Sequence, residues 1–161
     1  MRFLACFFAL SLLAGAAVAR PAPFSGVVTG VSDGDTLVVM QGRDPVRVRL
    51  AWVDAPERGQ DYGGLAKQTL AELCFMRSAR VDPVDVDRYG RVVARVACDG
   101  EDAGLHLLRK GLAWAFVRYN PPQEYLQEQG RAKVERVGLW RQSSPVPPWE
   151  FRNSKRGQNA I

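Results

Sequence analysis

Five short β-type segments between Phe24 and Cys98, each bounded by turn residues, constrain the fold of this 161-residue chain more than any other feature. Phe24–Val31 (FSGVVTGV) is rich in β-branched residues. Thr36–Met40 (TLVVM) follows across Ser32-Asp33-Gly34-Asp35, an Asp-Gly turn of the kind that joins antiparallel strands. After a turn at Gln41–Pro45, the segment Val46–Val53 alternates Val46, Val48 and Leu50 with Arg47, Arg49 and Ala51. A period of two puts the first set on a core and the second on the opposite surface, so Arg49 is expected beside a groove and not inside it. Ala79–Val86 and Arg91–Cys98 supply the last two strands, joined by the turn Asp87-Arg88-Tyr89-Gly90. With helices inserted after the third and fifth strands, the pattern is that of a closed Greek-key barrel. The five-stranded OB barrel is the small α+β fold it matches, and that barrel takes oligonucleotides on one face.

Three helices are expected around the barrel. Leu65–Phe75 has helical spacing, with Ala66, Leu70, Leu73 and Cys74 on one face. Asp102 is placed to cap a second helix that runs through Lys110 and stops at Gly111. Leu112–Val117 is a short apolar segment. Pro121-Pro122 opens a third helix, whose buried stripe is read as Leu126, Gly130, Val134 and Val137 and whose end is Gly138. From Arg141 the chain turns Ser/Pro-rich and then basic (SSPVPPWEFRNSKRG), the composition of an extended tail. Two readings of that tail stand: Trp149 and Phe151 dock on the domain, or Arg152, Lys155 and Arg156 contact nucleic acid.

The first residues read as a targeting segment. Met1-Arg2 is a basic start, Phe3–Val18 is apolar and uncharged, and Ala17-Val18-Ala19 is a small-x-small cleavage pattern. The apolar run is shorter than the roughly 18 residues of a spanning helix, which favours a secretory signal peptide over an anchor. The chain therefore divides into a signal peptide (1–19), one folded domain (20–141) and the tail (142–161). The protein is expected to be exported to the periplasm or the medium, as a monomer without stable membrane association. The formal charge is +5; removing Met1–Ala19 takes away one Arg and no acid, which leaves +4. A basic balance suits a polyanionic partner. Cys74 and Cys98 remain after cleavage. An even pair in an oxidising compartment suggests a disulfide, against the other reading of two buried thiols. Two cysteines and His106, without paired spacing, do not make a tetrahedral zinc site.

Three segments carry the chemistry: DGDT at Asp33–Thr36, RLAWVDAPE at Arg49–Glu57 and DRYGR at Asp87–Arg91. They supply the carboxylates Asp35, Asp54 and Glu57 and the guanidinium groups Arg49 and Arg91. Carboxylates are the hard oxygen donors that calcium takes, and forked cations fit phosphate oxygens. Asp33 is either turn-forming or a support behind the ligands. His106 lies in an apolar helical stretch and reads as a packing residue, as do Trp114 and Trp140.

These segments, in this order, resemble the staphylococcal nuclease (thermonuclease) family over roughly Phe24 to Trp140. GLAW at Gly111–Trp114 adds to the match, and Leu139-Trp140-Arg141 followed by PVPPWEFR looks like the exported bacterial branch. The resemblance implies an OB barrel packed with three helices and calcium-dependent cleavage of DNA and RNA to 3′-phosphate ends. It implies that Asp35, Asp54 and the main-chain carbonyl of Ala55 hold calcium, that Glu57 is the general base, and that Arg49 and Arg91 bind phosphate. Arg88, Tyr89 and Tyr119 would grip a terminal nucleotide. The family has a lysine where Arg88 falls and a stacking tyrosine where this chain has Val117, with Phe116 or Tyr119 as substitutes. The Glu57–Tyr62 loop looks shorter than in the prototype. The alternative function is a secreted OB module that binds nucleic acid without cutting it; the presence of all five site residues separates the two.

Overall fold

The computed structural model describes residues 21–158. The segment read as a signal peptide, 1–19, lies outside the described residues. Strands β1 (Phe24–Val31), β2 (Thr36–Gln41) and β3 (Asp44–Leu50) form an antiparallel meander. After β4 (Val53–Asp54) and helix α1 (Gly63–Cys74), the strands β5 (Ser78–Val86) and β6 (Val92–Cys98) make the second hairpin. β1 serves both halves: Phe24–Val27 pair with β5, and Val28–Val31 pair with β2 across a register shift between Val28 and Gly30. Such irregularities bend a strand and let a sheet curl. The curl closes where β3 meets β6 in parallel, Val48 opposite Val92 and Leu50 opposite Ala94. The result is the expected closed five-stranded barrel. Its interior holds Val28, Leu37, Val39, Val48, Leu50, Val81, Ala94 and Val96, all essentially without solvent contact.

β7 (Glu101–Asp102) pairs with β6, and it is followed by α2 (Ala103–Arg109), β8 (Trp114–Ala115), α3 (Gln123–Val134) and α4 (Pro148–Gln158), with short 3-10 turns at Val117–Tyr119 and Gly138–Arg141. Asp102 caps α2 as expected, accepting the Leu105 N–H at 2.8 Å. It also accepts the Tyr125 hydroxyl and pairs with Arg95 at 2.6 Å, so one carboxylate ties α2, α3 and β6 together. Cys74 and Cys98 form a disulfide between the end of α1 and the end of β6.

Three expectations are corrected. The strand expected over Val46–Val53 breaks after Leu50. Trp52 adopts φ 61°, and Val53–Asp54 leave the barrel to pair with Ala115 and Trp114. The stripe expected on α3 is rotated: Tyr125 and Ala132 are buried, whereas Val134 is 85 % exposed. The neighbouring α2 and β8 present a surface that Tyr125 fills, and Tyr125 meets Trp52 edge-to-face at 5.5 Å. The tail is not extended, and the helices number four in the described residues. Pro148 opens α4, Glu150 lies in its first turn, and Lys155 and Arg156 lie in its last, an order that suits the helix dipole.

Candidate active site

The acids converge where β1–β2, β3–β4 and the loop after β4 meet. The DGDT turn closes through Ser32 N–H to Thr36 O at 2.9 Å, and Asp33 Oδ1 accepts the Asp35 N–H at 3.1 Å. Asp33 is thus turn-forming. The turn packs tightly against α1. A Cβ at Gly34 would stand 2.6 Å from the Ala55 methyl and 2.9 Å from that of Ala66, so only glycine allows this approach. The Leu50 N–H donates to Asp35 O at 2.8 Å, and the Ala55 N–H donates to Asp35 Oδ2 at 3.3 Å. These bonds bring the two ends of the RLAWVDAPE segment to Asp35.

Arg49 lies inside this cluster, contrary to the position beside it that strand alternation suggests. It points away from the barrel core, but that outer face is roofed by the 33–35 and 54–57 loops. Its Nη2 sits 3.2 Å from Asp35 Oδ2 and 3.0 Å from Asp54 Oδ1, and its Nη1 donates to Leu50 O at 3.1 Å. Burial works against the Arg49 charge, but Asp35 and Asp54 outweigh it and hold the group protonated above its ordinary value. Burial pushes the Asp54 carboxyl above the usual range, against the opposing pull of Arg152 and Arg49. Burial, with the nearby Asp35 charge, also raises Asp33.

Arg91 reaches the same place from the other hairpin. Gly90 at φ 76° completes the 87–90 turn, and Asp87 accepts the main-chain N–H groups of Tyr89 and Arg91. Asp87 Oδ2 also holds Arg91 Nε at 2.7 Å. So aimed, Arg91 Nη1 donates to Thr36 Oγ1 at 3.3 Å, and the Thr36 hydroxyl donates to Asp35 Oδ1 at 3.1 Å. Arg88 lies over the Tyr89 ring at 5.0 Å, on the flank of Arg91, with Tyr89 65 % exposed. Tyr119, 59 % exposed, lies edge-on to Phe116, whose ring is stacked against Trp149 at 5.4 Å. Of the two residues considered for stacking in this region, Tyr119 is the more exposed.

Glu57 lies on the loop after Asp54. Its N–H donates to Gln60 Oε1 at 3.0 Å, and its carbonyl abuts Gly63, where a side chain would collide with it. The residue that links Glu57 to Asp54 comes from outside the three motifs. Arg152 of α4 donates to Glu57 Oε1 at 2.6 Å and to Asp54 Oδ2 at 2.8 Å. The hydrogen bonds it donates to Asp54 and Glu57 carry its pKa above the ordinary arginine value, against the opposing effect of burial. α4 is held in place by Trp149 against Phe116 and edge-on to Trp114 at 5.7 Å, and Gln60 Nε2 donates to Val146 O at 2.7 Å. The available signal was the helical spacing of Trp149, Arg152 and Arg156 behind an N-terminal proline.

Three carboxylates, Asp35, Asp54 and Glu57, thus face Arg49 and Arg152 at the mouth of the barrel. Among the described residues no group of three His, Cys, Asp or Glu side chains forms a closed metal cage. The donor set still fits a hard cation. Two buried carboxylates share one guanidinium nitrogen, and a hard cation held there would fill the rest of its shell with carbonyl, water and substrate oxygens. His106, on α2, donates from Nδ1 to Glu101 Oε1 at 2.7 Å. It lines a separate concavity of about 580 Å³ with Tyr62, Leu73 and Lys110 that includes none of Asp35, Asp54, Glu57, Arg49 or Arg91. Trp114 and Trp140 pack edge-to-face at 4.4 Å beneath Lys133.

Hard oxygen donors, a neighbouring carboxylate and forked cations on an OB barrel are the groups that binding a phosphate on this fold would use. Residues 47–142 match the family model described as staphylococcal nuclease homologue. The chain is 38 % identical over 147 residues to a Shigella flexneri protein named micrococcal nuclease, with 84 % of each chain covered. It is 35 % identical over 130 residues to an uncharacterized endonuclease of Haemophilus influenzae, covering 80 % of this chain and 73 % of that one. A similarly named Escherichia coli protein is 38 % identical over 135 residues, covering 83 % and 88 %. The chain belongs to the staphylococcal nuclease family and is a nuclease acting on nucleic acids.

Proposed function

We propose that this nuclease is an exported, monomeric, calcium-dependent phosphodiesterase that cuts both DNA and RNA and leaves 3′-phosphate ends. The observation that carries the reading is the convergence of Asp35 and Asp54 on Arg49, with Glu57 tied to Asp54 through Arg152. Asp35, Asp54 and the Ala55 carbonyl are the groups that would hold calcium, which when bound supplies Lewis-acid polarisation of the phosphate and a more acidic water. Glu57 accepts a proton from the water that attacks phosphorus. Arg49 and Arg91 donate to the phosphate oxygens, whose charge grows in the transition state. The P–O5′ bond breaks, leaving phosphate on the 3′ side. Arg88, Tyr89 and Tyr119 position the terminal nucleotide by charge and stacking. The Cys74–Cys98 disulfide favours an oxidising destination, and no helix among the described residues is long and apolar enough to cross a membrane.

The test is digestion of single-stranded DNA and of RNA by residues 20–161, in calcium and then in chelator, beside Glu57→Ala. Calcium-dependent digestion of both polymers that collapses in the variant, with 3′-phosphate ends, is the expected result. Cleavage indifferent to chelator and to the variant would overturn the mechanism. Binding without cleavage in calcium would favour the non-catalytic module.

A further inference from the structure

A second cleft opens beside the acid cluster, between α4 and the loop that carries Glu57. It encloses about 190 Å³ and is lined by Glu57, Arg58, Phe151, Arg152, Lys155 and Arg156. Four of these six side chains are cationic and one is acidic. Arg152 is committed to Asp54 and Glu57, whereas Arg58, Lys155 and Arg156 make no ion pair among the described residues. Positions 152, 155 and 156 fall on one helix face by their i, i+3, i+4 spacing. Two of them also complement the C-terminal end of the helix dipole, but Arg58 belongs to a different element and shares the cleft. The platform beneath is braced: Lys155 Nζ rests over the Phe151 ring at 4.7 Å, and Gln142 Nε2 donates to Asp61 Oδ2 at 2.8 Å. The volume falls below the roughly 300–1,000 Å³ of a site for a whole small molecule, and suits one charged group.

We propose that this cleft is a subsite for a backbone phosphate of the nucleic-acid strand, next to the phosphate being cut, bound by Arg58, Lys155 and Arg156. That placement rests on the reading of Glu57 as the base. Arg152 joins the two sites, since its one guanidinium group spans the acid pair and the cleft wall. A strand lying along this wall presents its phosphates in succession to Arg49 and Arg91 and then to α4. The subsite therefore acts on polymers and not on single nucleotides.

The experiment measures binding of a thymidine octamer by fluorescence anisotropy, in chelator so that no turnover occurs, over a series of salt concentrations. The protein spans residues 20–161, as wild type, as Arg58→Ala/Lys155→Ala/Arg156→Ala, and as Lys155→Glu. A control, Arg43→Ala/Lys67→Ala/Lys110→Ala, removes the same number of exposed charges elsewhere on the molecule. The expected result is an affinity about tenfold weaker at low salt for the triple variant, and a salt slope shallower by about 0.7 for each phosphate that is no longer neutralised. Lys155→Glu should weaken octamer binding in the same direction. The control should weaken binding less and keep the wild-type slope. Equal weakening in triple variant and control, or an unchanged slope in the triple variant, would overturn the subsite. Cleavage by the wild type is assayed separately with calcium restored. Its failure would count against the calcium mechanism, while the binding comparison would still decide the subsite.

Discussion

Arg49 holds Asp35 and Asp54 together through one nitrogen, and both acids are largely shut off from water. Removing the guanidinium leaves buried charge with fewer partners, so Arg49→Met is expected to lose about 3 kcal/mol of stability in chelator, in the range seen when a buried pair is broken. Urea denaturation with and without calcium checks this, and calcium should recover part of the loss. At Glu57 the expectation is chemical and not structural. Glu57→Gln keeps the shape and a hydrogen-bond acceptor for Arg152, and should lower the rate about 10²- to 10⁴-fold, the usual weight of a general base. Single-turnover cleavage, read beside calcium affinity by calorimetry, separates lost chemistry from lost metal. Asp35, Asp54, Glu57, Arg49 and Arg91 were all legible from their motifs. Arg152 was read only as a nucleic-acid contact, because nothing local in WEFR indicates that the chain returns to a loop nearly a hundred residues earlier.

The 87–91 turn and α4 each show an element doing what its residues alone do not reveal. Burial works against the Asp87 charge, but the N–H and guanidinium of Arg91 and the N–H of Tyr89 outweigh it, and the carboxyl lies below its ordinary value. A depressed carboxylate contributes stability that is present above the unfolded pKa and lost as pH falls through the folded one. The turn is therefore expected to loosen below about pH 4, and Asp87→Asn should remove that part of the acid limb. Urea midpoints of the two proteins between about pH 6 and pH 3 test the sign. For α4, Trp149→Ala removes the stacking on Phe116 and the edge contact with Trp114. Trp149 is only half-buried, so the cost is expected near ~2 kcal/mol, below the full-core value for losing a large aromatic. Limited proteolysis should then cut between α3 and the end of α4. The helix expected at α3 was found, but its buried stripe was rotated. Periodicity alone ranks the valines above Tyr125, and only the hollow beside Trp52 and Asp102 selects the tyrosine.

At the scale of the molecule, the Cys74–Cys98 disulfide spans 24 residues and joins α1 to the end of β6. A loop of that length is worth about 3 kcal/mol in the chain-entropy account, so Cys74→Ser/Cys98→Ser should lower the melting temperature by several degrees and make it insensitive to reductant. An unchanged melting temperature would show that the helix–barrel packing holds without the bridge. The barrel was legible because its signals are local: turn residues at set intervals, and strands with one apolar side. Its closure also followed, since five such strands bury their apolar faces by curling on themselves.

The sequence by itself determined the order of strands, the turn that presents Asp35, the presence of carboxylates and arginines in the same short motifs, and the resemblance that those motifs carry. These depend on residue type and short spacing, which a linear chain records directly. Only the tertiary structure decided that Val53–Asp54 leave the barrel, that Arg49 lies within the acid cluster, and that the tail folds back as α4 with Arg152 between Asp54 and Glu57. Each of these depends on what the opposite surface offers: a strand edge at β8, a roof of loops, or two carboxylates short of positive charge. Most of the partners that set that surface are distant in the chain, as β8 is from β4 and Arg152 is from Asp54 and Glu57.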